Sequence, residues 1–258
     1  MKEISVLILA RNEEKNMSEC IRSCDFAGEI IVIDDFSTDK TQEISESLGA
    51  RVFKRNMNGD WGGQQTFAIQ QATKPWIFFI DADERVTPEL SKEIIETVKK
   101  GDKFGYWIKR INHFKHKKID HGPLSPDWVC RLMPTEGSYV TGFVHPKIVH
   151  KFNDRRLTKP MLHYTYETWT QYLNKMNQYS ELAAKKRHEA GKHFNFWFDI
   201  INRPSWAFFK MYILKRGFLD GELGYMLCIN YANYTMNKYA KLWQLEAESL
   251  NKQERTTS

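Results

Sequence analysis

The first hundred residues alternate short apolar runs with amphipathic segments, and this alternation restricts the folds that the chain can adopt. Strand-like apolar runs lie at residues 4–10, 30–33, 51–54 and 76–80. The segments between them carry apolar residues at helical spacing, with Met17, Cys20 and Ile21 on one face of the first. Strands that alternate with helices predict an α/β fold, in which helices cover both faces of a mostly parallel, Rossmann-like sheet.

Helix boundary signals are clearest after the fourth strand. Thr87 suits an N-cap, Pro88 suits the first helical position, and Gly101 suits the residue after the last turn. Earlier helices are predicted at about 12–24, 38–48 and 63–72. After His163 the chain is predicted to be mostly helical, with helices at about 168–190, 204–216 and 220–250.

The length of 258 residues allows one sizeable core with a helical appendage, because single domains rarely grow beyond this size. Residues 105–150 mix short apolar segments with Gly, Pro and Ser, which predicts strands and loops that close over the sheet edge. We therefore expect an α/β domain over 1–165, a basic and aromatic helical extension over 166–250, and a polar, frayed tail over 251–258.

The net charge of +6 suits a polyanionic partner, such as anionic lipid or a phosphorylated substrate. Four cysteines without metal-ligand spacing indicate reduced thiols and a cytosolic location. The histidines in the Lys-rich run 113–118 could bind a metal or phosphate, but a solvated basic segment explains them more simply. The longest uncharged stretch, 223–237, is too short to span a bilayer, so we expect no transmembrane helix.

Polar turns follow the first, second and fourth predicted strands. Since the carboxyl ends of parallel strands meet at one sheet edge, these turns should lie together where open α/β sheets bind ligands. After the fourth strand, Asp81 and Asp83 repel each other unless a cation neutralises them. Mg²⁺ or Mn²⁺, held by carboxylates and substrate phosphates, would do so, and an ordinary surface turn is the alternative.

The other two turns carry groups suited to a nucleotide. Asp34 and Asp35 end the second strand, and a carboxylate can accept a hydrogen bond from a base N–H group. The Ser, Thr and Asp residues at 37–39 are explained by capping of the next helix. In the first turn, at 10–14, a helix begins beside the same edge, where its backbone N–H groups favour an anion. A capped helix start is the alternative there.

Taken together and in this order, the segments 6–14, 31–41 and 79–84 resemble the nucleotide-sugar half of family-2 glycosyltransferases with the GT-A fold. The chain is most similar to a bacterial subset resembling lipopolysaccharide-core glucosyltransferases. Further segments that resemble this subset lie at 126–133, 144–145, 162–166 and 216–221. The resemblance therefore covers nearly the whole chain, from residue 3 to residue 245.

The resemblance implies a role for each turn. Asp35 matches the carboxylate that binds the nucleotide base, and Asp81 matches the Asp near the ribose and the metal. Asp83 matches the ligand of Mn²⁺ or Mg²⁺ at the diphosphate, where the metal offsets charge on the leaving group. The nucleotide-contacting loop and the other expected donor contacts are Ala10, Asn12, Glu13, Gln65 and Arg131.

Two positions depart from the family pattern. Gln65-Thr66 stands where a Lys-Asn or Arg-Asn pair is common, and Pro146 stands where a Glu usually follows the Val-His pair. An inverting transfer needs a base that deprotonates the acceptor hydroxyl. Asp127 is the first candidate and His145 the second, although Asp127 also suits a Ser-Pro-Asp turn.

The region 185–216 is basic and aromatic. It holds eight Lys or Arg residues against two acids, with Trp and Phe interleaved. This composition predicts short amphipathic segments that lie against an anionic membrane surface. Packing of the aromatic residues onto the first domain is the alternative. A nucleic-acid partner is not expected, because no RNA- or DNA-binding motif accompanies the charge.

The sequence therefore predicts an inverting, metal-dependent glycosyltransferase that is peripheral to the inner face of the cell membrane. It would move a sugar from a nucleotide-diphosphate donor, with UDP as the expected nucleotide, to a lipid-linked or cell-envelope glycan. An inactive nucleotide- or glycan-binding module is one alternative, which the two departures keep open. A nucleotidyltransferase is another, although it normally needs a Gly-rich phosphate loop that Gly62-Gly63 does not supply.

Overall fold

A computed structural model of the protein describes residues 2–142 and 147–257, with the backbone alone for residues 147 and 250–257. The chain divides into two compact units. The first comprises Met1–Ile111 and Asp127–Tyr164, and the second comprises Asn112–Pro126 and Thr165–Ser258. The second unit thus takes a segment, Asn112–Pro126, from the middle of the region expected to form one α/β domain.

The first unit begins with alternating strands and helices. These are β1 (Ile4–Ala10), α1 (Glu14–Ser23), β2 (Glu29–Asp34), α2 (Thr41–Ser47), β3 (Arg51–Lys54), α3 (Trp61–Gln71), β4 (Trp76–Asp81), β5 (Glu84–Val86) and α4 (Pro88–Lys100). The later strands are β6 (Gly105–Phe114), β7 (Lys117–Ile119), β8 (Asp127–Pro134), β9 (Ser138–Thr141), β10 (Lys147–His150), β11 (Asp154–Arg156) and β12 (Met161–Tyr166).

The first four strands form a parallel sheet in the order β3-β2-β1-β4. Its core lies on both faces. Alternate residues of β1, such as Val6 and Ile8, pack with α1 and α4, while Leu7 packs with α3 on the other face. The α/β fold predicted from the alternation is confirmed, because β1, β2 and β4 are largely buried on both sides, with β3 at the edge only partly buried.

The remaining strands of the first unit extend this sheet with mixed polarity. β8 pairs antiparallel with β4 and β6, β12 pairs antiparallel with β5, and β11 pairs parallel with β6. β9 and β10 form a separate antiparallel pair. β5, only three residues long, was not predicted, because so short a run carries no usable periodicity.

The predicted capping of α4 is confirmed. The Thr87 hydroxyl accepts a hydrogen bond from the Leu90 N–H group at 3.2 Å, and Pro88 occupies the first helical position. Gly101 has a left-handed φ of 74°, which a residue without a Cβ adopts at little cost. These signals are local in the sequence, so they could be identified before the fold was known.

The second unit is mainly helical. A short 3₁₀ segment at Gly122–Leu124 precedes α5 (Trp169–Glu189). After α5 come a π-helical segment at Trp197–Asn202, α6 (Arg203–Phe209), a second π-helical segment at Lys210–Leu214, a 3₁₀ segment at Gly217–Asp220 and α7 (Gly221–Thr257). Its main core gathers Ile119, Tyr166, Tyr172, Leu223 and Leu227. None of the helices in the described ranges is both long and apolar enough to cross a membrane.

Two helix boundaries differ from the sequence-based expectation. The helix expected to start at Pro204 starts at Trp197, because Asn195 and Asp199 cap it: the Asn195 side chain accepts from the Phe198 N–H group at 3.0 Å, and Asp199 accepts from the Asn195 N–H group at 2.9 Å. The backbone of α7 continues to Thr257, beyond the expected end near Leu250, since neither Gly nor Pro interrupts its last eight turns.

Candidate active site

The three polar turns lie along one edge of the parallel sheet. In the strand register, Ala10 is opposite Asp34, and Leu9 is opposite Asp81. The Asp35 N–H group donates to the Ala10 carbonyl at 2.9 Å, which joins the first two turns directly. The structure therefore brings together the residues that follow β1, β2 and β4, as the parallel order requires.

The start of α1 is capped by side chains from the second turn. The Glu13 N–H group donates to the Thr41 hydroxyl at 2.7 Å, and the Glu14 N–H group donates to the Asp39 carboxylate at 3.1 Å. These donors already have partners, so the capped-helix interpretation explains them and an anion would have to displace a side chain. Burial raises the pKa of Glu13, and the charge of Asp83 adds to the effect.

Asn12 and Asp34 hold the second turn in place. Asn12, at a left-handed φ of 57°, donates from its N–H group to Ser37 Oγ at 2.9 Å and accepts from the Thr38 N–H group at 2.8 Å. Asp34, fully buried, accepts from the Ser37 N–H group at 3.2 Å. Asp34 is thus explained as a turn residue, which leaves Asp35 as the acid of this pair that is available to a ligand.

Asp35 is a buried carboxylate with a fixed orientation. It is only 6% exposed, and its Oδ1 atom accepts from the Met57 N–H group at 2.9 Å. Its Oδ2 atom lies 3.1 Å from Nη1 of Arg11, whose side chain is mostly exposed. A carboxylate oxygen has more than one acceptor site, so Asp35 can also receive a donor group from a nucleotide base.

The turn after β4 is organised by Glu84, which is 0% exposed. Its Oε2 atom accepts from the Asp81 N–H group at 2.9 Å. Its Oε1 atom lies 2.6 Å from Nη2 of Arg131 and 3.0 Å from Nη1 of Arg110. Burial raises the pKa of Glu84, and the two arginines oppose that shift.

Arg131 also binds the Asp81 carboxylate, and Arg110 lies 3.8 Å from it. Partial desolvation acts to raise the pKa of Asp81, but the Arg131 charge prevails and lowers it. The argument that Asp81 and Asp83 require a cation between them is therefore corrected: arginine neutralises Asp81. Of the two aspartates, Asp83 is the one whose charge a bound cation would still neutralise.

Asp83 lies beside His163. Its Oδ2 atom is 3.3 Å from Nε2 of His163, and about a third of the Asp83 side chain is exposed. The antiparallel pairing of β12 with β5 places His163 opposite Glu84, and the Tyr164 N–H group donates to the Asp83 carbonyl at 2.9 Å. Backbone pairing thus positions the imidazole against the carboxylate.

The pair of Asp83 and His163 fits part of a divalent metal site. Carboxylate and imidazole groups suit Mn²⁺, and Mg²⁺ accepts the carboxylate. Within the described ranges, no third Asp, Glu, His or Cys ligand atom lies within 4.8 Å of both. Such a site would need oxygen ligands from a substrate phosphate and from water, which is the usual arrangement for Mg²⁺ in nucleotide-binding enzymes.

Asp127 is held within the same ion-pair network. Nε and Nη2 of Arg110 lie 2.9 Å and 2.8 Å from its Oδ2 atom, and the pairing of β6 with β8 sets Arg110 opposite Asp127. Since Arg110 also binds Glu84, it connects Asp127 with the acidic turn after β4. His145 and Pro146 lie outside the described residues.

Two buried side-chain atoms have no hydrogen-bond partner among the described residues: Oε1 of Gln65 and Nε of Arg131. A buried polar atom without a partner costs about 1–3 kcal/mol, so a ligand that satisfied either atom would gain affinity. The neighbouring Gln64, in contrast, is occupied, because it accepts from Nη1 of Arg55 at 2.6 Å and donates to the Arg55 carbonyl at 2.8 Å.

One cavity lies away from these turns. Its volume is about 1400 Å³, and its lining includes Ile4 and Trp76, the first residues of β1 and β4, and Lys74. It therefore opens at the amino ends of the strands, the edge opposite the acidic turns. We assign the candidate active site from the carboxylates, arginines and histidine at the carboxyl edge, because size alone carries no chemistry.

Three residues of this network had no role in the sequence-based interpretation: Glu84, Arg110 and His163. Glu84 could have been noticed, because it directly follows Asp83 in the acidic turn after the fourth strand. Arg110 and His163 come from strands β6 and β12 and reach the acidic turn only through antiparallel pairing. No local spacing in the sequence indicates that pairing.

Residues 5–124 match the family model described as glycosyl transferase family 2. The lipopolysaccharide core biosynthesis glycosyltransferase LpsC of Rhizobium meliloti is 30% identical over 95% of this chain and 93% of its own. An uncharacterized glycosyltransferase of Rickettsia typhi is 30% identical over 97% of this chain and 90% of its own.

Among solved structures, Staphylococcus aureus TarS 1–349 in complex with UDP-GlcNAc aligns with 95% of this chain and 92% of its own, at 16% identity and a TM-score of 0.49. The two relatives at 30% identity each align over nearly their full length, and both are named as glycosyltransferases. The similarity predicted from the sequence motifs is thereby confirmed, and the chain belongs to glycosyltransferase family 2.

Proposed function

We propose that this enzyme is an inverting, metal-dependent glycosyltransferase that uses a nucleotide-diphosphate sugar and acts on a lipid-linked or cell-envelope glycan. One observation carries the proposal. Arginines neutralise Asp81 and Glu84, whereas Asp83 keeps an accessible carboxylate beside His163, at the same sheet edge as Asp35. This arrangement suits a metal that bridges the protein and a diphosphate.

The donor nucleotide is proposed to bind between the first and second turns. Asp35 is the proposed acceptor for the base N–H group, because its carboxylate is fixed by the Met57 N–H group and faces an exposed Arg11. UDP is the proposed nucleotide, since the family resemblance assigns this carboxylate to uracil or another base. Ala10, Asn12 and Glu13 would line the same loop.

Asp83 and His163 are the proposed metal ligands, and Mn²⁺ or Mg²⁺ the proposed ion. A metal bound there supplies positive charge that stabilises the departing nucleoside diphosphate. Asp81 is proposed to contact the donor near its ribose, because Arg131 binds its carboxylate and holds it at the edge. Arg131 also offers the donor an Nε–H group, which has no hydrogen-bond partner in the described part of the chain.

Asp127 is the proposed base. Arg110 holds its carboxylate in one orientation through two nitrogen atoms, so the carboxylate can accept the proton of an acceptor hydroxyl that attacks the anomeric carbon from the face opposite the diphosphate. His145 stays the second candidate. Among the expected donor contacts, Gln65 has a buried carbonyl oxygen that a donor hydroxyl could satisfy.

A cell-envelope acceptor is proposed from the relative LpsC, whose name places it in lipopolysaccharide core biosynthesis. The second unit supports a position at the cytoplasmic face of a membrane. Its surface exposes 72% of Trp197 and 58% of Trp206. Arg187, Arg203 and Lys238 gather around the Tyr239 ring at 4.9–5.2 Å. Exposed indoles beside grouped cations suit an anionic lipid interface.

The catalytic proposal is tested with purified protein and a panel of nucleotide sugars, with and without Mn²⁺. We expect metal-dependent donor hydrolysis, and an Asp83→Asn variant should lose on the order of 100-fold of it. Asp102→Asn is the control, because the Asp102 carboxylate lies at the surface and pairs with the exposed Arg155. Equal activity of both variants would contradict the metal assignment. Metal-dependent nucleotide binding without turnover would indicate the inactive binding module instead.

The membrane proposal is tested by sedimentation with phosphatidylglycerol or phosphatidylcholine vesicles. The parent should bind the anionic vesicles, and Trp197→Ser should weaken binding about tenfold, as expected for one indole that no longer enters the interface. Trp243→Ser is the control, since Trp243 is 57% exposed and lies outside the basic and aromatic residues 185–216. If both variants bind as the parent does, this surface does not contact lipid.

A further inference from the structure

Cys130, His150 and Asp154 converge at a second place in the first unit. They come from β8, β10 and β11. Sγ of Cys130 lies 3.8 Å from Nε2 of His150, and Oδ1 of Asp154 lies 3.3 Å from the same nitrogen. All three potential ligand atoms lie within 4.8 Å of one another. A thiol, an imidazole and a carboxylate thus face one common point.

The distances match the edges of a tetrahedral zinc site. Zinc binds sulfur at about 2.3 Å and nitrogen or oxygen at about 2.0–2.1 Å, so a regular tetrahedron separates S from N by about 3.6 Å and N from O by about 3.4 Å. The observed separations of 3.8 Å and 3.3 Å are close to these values. Two of the three edges of such a site are therefore already at the separations that zinc requires, and the third, from sulfur to the carboxylate, lies within 4.8 Å.

The hydrogen bonding of His150 favours this use. Nδ1 lies 3.0 Å from the Phe152 carbonyl, to which it can only donate, so Nε2 is the ring nitrogen that faces Cys130 and Asp154 and is placed to bind a metal. A lone pair and a carboxylate oxygen at 3.3 Å repel unless a proton or a metal ion lies between them. A Cys-His-Asp catalytic triad is excluded, because there the acid and the thiol contact opposite ring nitrogens.

Strand β6 leaves room for the imidazole. A Cβ atom on Gly105 would lie 2.1 Å from Nε2 of His150, so only glycine fits there. Gly105 also pairs with Asp154, and its N–H group donates to the Asn153 carbonyl at 3.0 Å. Gly105 thus leaves space for the His150 ring and pairs with the backbone of Asp154. The Asp154 side chain is 57% exposed, which gives an ion access from solvent.

We propose that Cys130, His150 and Asp154 bind a thiophilic divalent cation, zinc in the first instance, with water as the fourth ligand. A thiolate favours zinc over Mg²⁺ and Mn²⁺, so this ion is chemically distinct from the one proposed at Asp83. Because the ligands come from three strands, the bound ion fastens β10 and β11 to β8. On binding, the Cys130 thiol releases its proton to solvent and its sulfur forms the bond to the metal.

The test uses the full chain, freed of metal by a chelator and titrated with Zn²⁺ by calorimetry and with Co²⁺ by absorption spectroscopy. Without nucleotide sugar, so that the Asp83 site lacks its phosphate ligands, we expect one tightly bound ion per chain and a thiolate-to-cobalt charge-transfer band. Cys130→Ser should abolish the band, and Asp154→Asn should weaken Zn²⁺ binding at least about tenfold. Cys24→Ser and Asp102→Asn are the matched controls, and both should bind as the parent does. Both control residues lie outside the cluster.

Thermal unfolding supplies a readout that does not depend on spectroscopy. Zn²⁺ at 100 times its dissociation constant should raise the melting temperature of the parent by about 5–10 °C, and that of Asp154→Asn by much less. Asp154→Asn is a suitable variant because the side chain is 57% exposed and the amide has nearly the same size, so we expect the fold to be retained. A cobalt spectrum without a thiolate band, or a zinc affinity that both ligand variants retain, would overturn the proposal. Donor hydrolysis is measured separately, so it can succeed where this proposal fails.

Discussion

The parallel and antiparallel halves of the sheet make different contributions to the candidate active site. β1, β2 and β4 present carboxylates in the turns that follow them, among which Asp35 and Asp83 stay available to a ligand. β6 and β8 contribute the arginines that compensate this charge, Arg110 and Arg131, and β12 places His163 beside Asp83. The acids are thus supplied by local turn motifs and their partners by strands far away in the sequence.

This difference teaches how a closely spaced acidic turn is tolerated. Arg131 and Arg110 bind Glu84 and Asp81 from the antiparallel side, so only Asp83 retains charge for a cation. The acidic turn of the parallel half therefore depends on arginines of the antiparallel half to neutralise its negative charge. Changes to partners in the antiparallel half should consequently have the larger effects.

The largest effect is expected for Arg131→Met. The change leaves the fully buried Glu84 with Arg110 as its remaining guanidinium partner, and removal of one member of a buried pair typically costs about 3–5 kcal/mol of unfolding free energy. Urea denaturation measures this loss of unfolding free energy. Arg155→Met is the control, because its pair with Asp102 is exposed and should contribute less than about 1 kcal/mol. Similar losses in the two variants would contradict the charge-balancing role.

His163→Gln is expected to have the next largest effect. The amide keeps the approximate size of the side chain but removes an imidazole ligand, so metal-dependent donor hydrolysis should fall on the order of 100-fold, with partial recovery at high Mn²⁺. Initial rates measured over a range of Mn²⁺ concentrations give both the loss of hydrolysis and its recovery. His116→Gln, at an exposed position between β6 and β7, should leave the rate unchanged. A loss that no Mn²⁺ concentration reduces would point to a structural role instead.

The two halves also differ in how far the sequence predicts them. β1 and β3 have the predicted bounds, 4–10 and 51–54, because apolar runs and helix signals on either side delimit them. The convergence of Asp35, Asp81 and Asp83 follows from the parallel order alone. These features are local or depend on a general rule of topology, so the sequence is sufficient for them.

In the antiparallel half, the decisive contacts depend on register. His163 lies within a segment that resembles the family, yet its contact with Asp83 exists only because β12 pairs with β5. Cys130, His150 and Asp154 likewise lie 20 and 4 residues apart, spacings that match no metal motif. Short strands joined by irregular loops do not specify their partners by periodicity, which is why these sites could not be predicted.

A smaller effect is expected for Arg110→Gln. The variant releases Asp127 from its two guanidinium contacts while Arg131 still binds Glu84, so we expect kcat to fall about tenfold with little change in the KM for the donor. Steady-state kinetics separate the two constants. Arg156→Gln, which removes an exposed arginine from above the Trp128 ring, is the control. An increase in KM alone would show that Arg110 serves donor binding and does not position the base.

The smallest effect is expected in the parallel half, at Glu29 on β2. Burial acts to raise the pKa of Glu29, but hydrogen bonds from Ser5, Thr73 and Arg51 lower it to about 2. A lowered pKa stabilises the fold above the unfolded-state pKa, and this contribution disappears as the pH falls toward 2. At pH 7, Glu29→Gln should therefore lose about 1 kcal/mol of unfolding free energy, since the amide keeps an acceptor but not the charge.

Urea denaturation at pH 7, 4 and 3 checks the direction of this effect, because the difference between parent and Glu29→Gln should shrink steadily between about pH 5 and pH 2. Glu96→Gln, on the exposed face of α4, should show no such trend. Comparing the losses of unfolding free energy in Glu29→Gln and Arg131→Met distinguishes the two halves of the sheet. Glu29 is stabilised by neighbours of its own half, including Ser5 on β1 and Arg51 on β3. The unfolding free energy lost in Glu29→Gln should therefore be small and should depend on pH. If Glu29→Gln were as destabilising as Arg131→Met, the parallel half would depend on buried charge as strongly as the antiparallel half does.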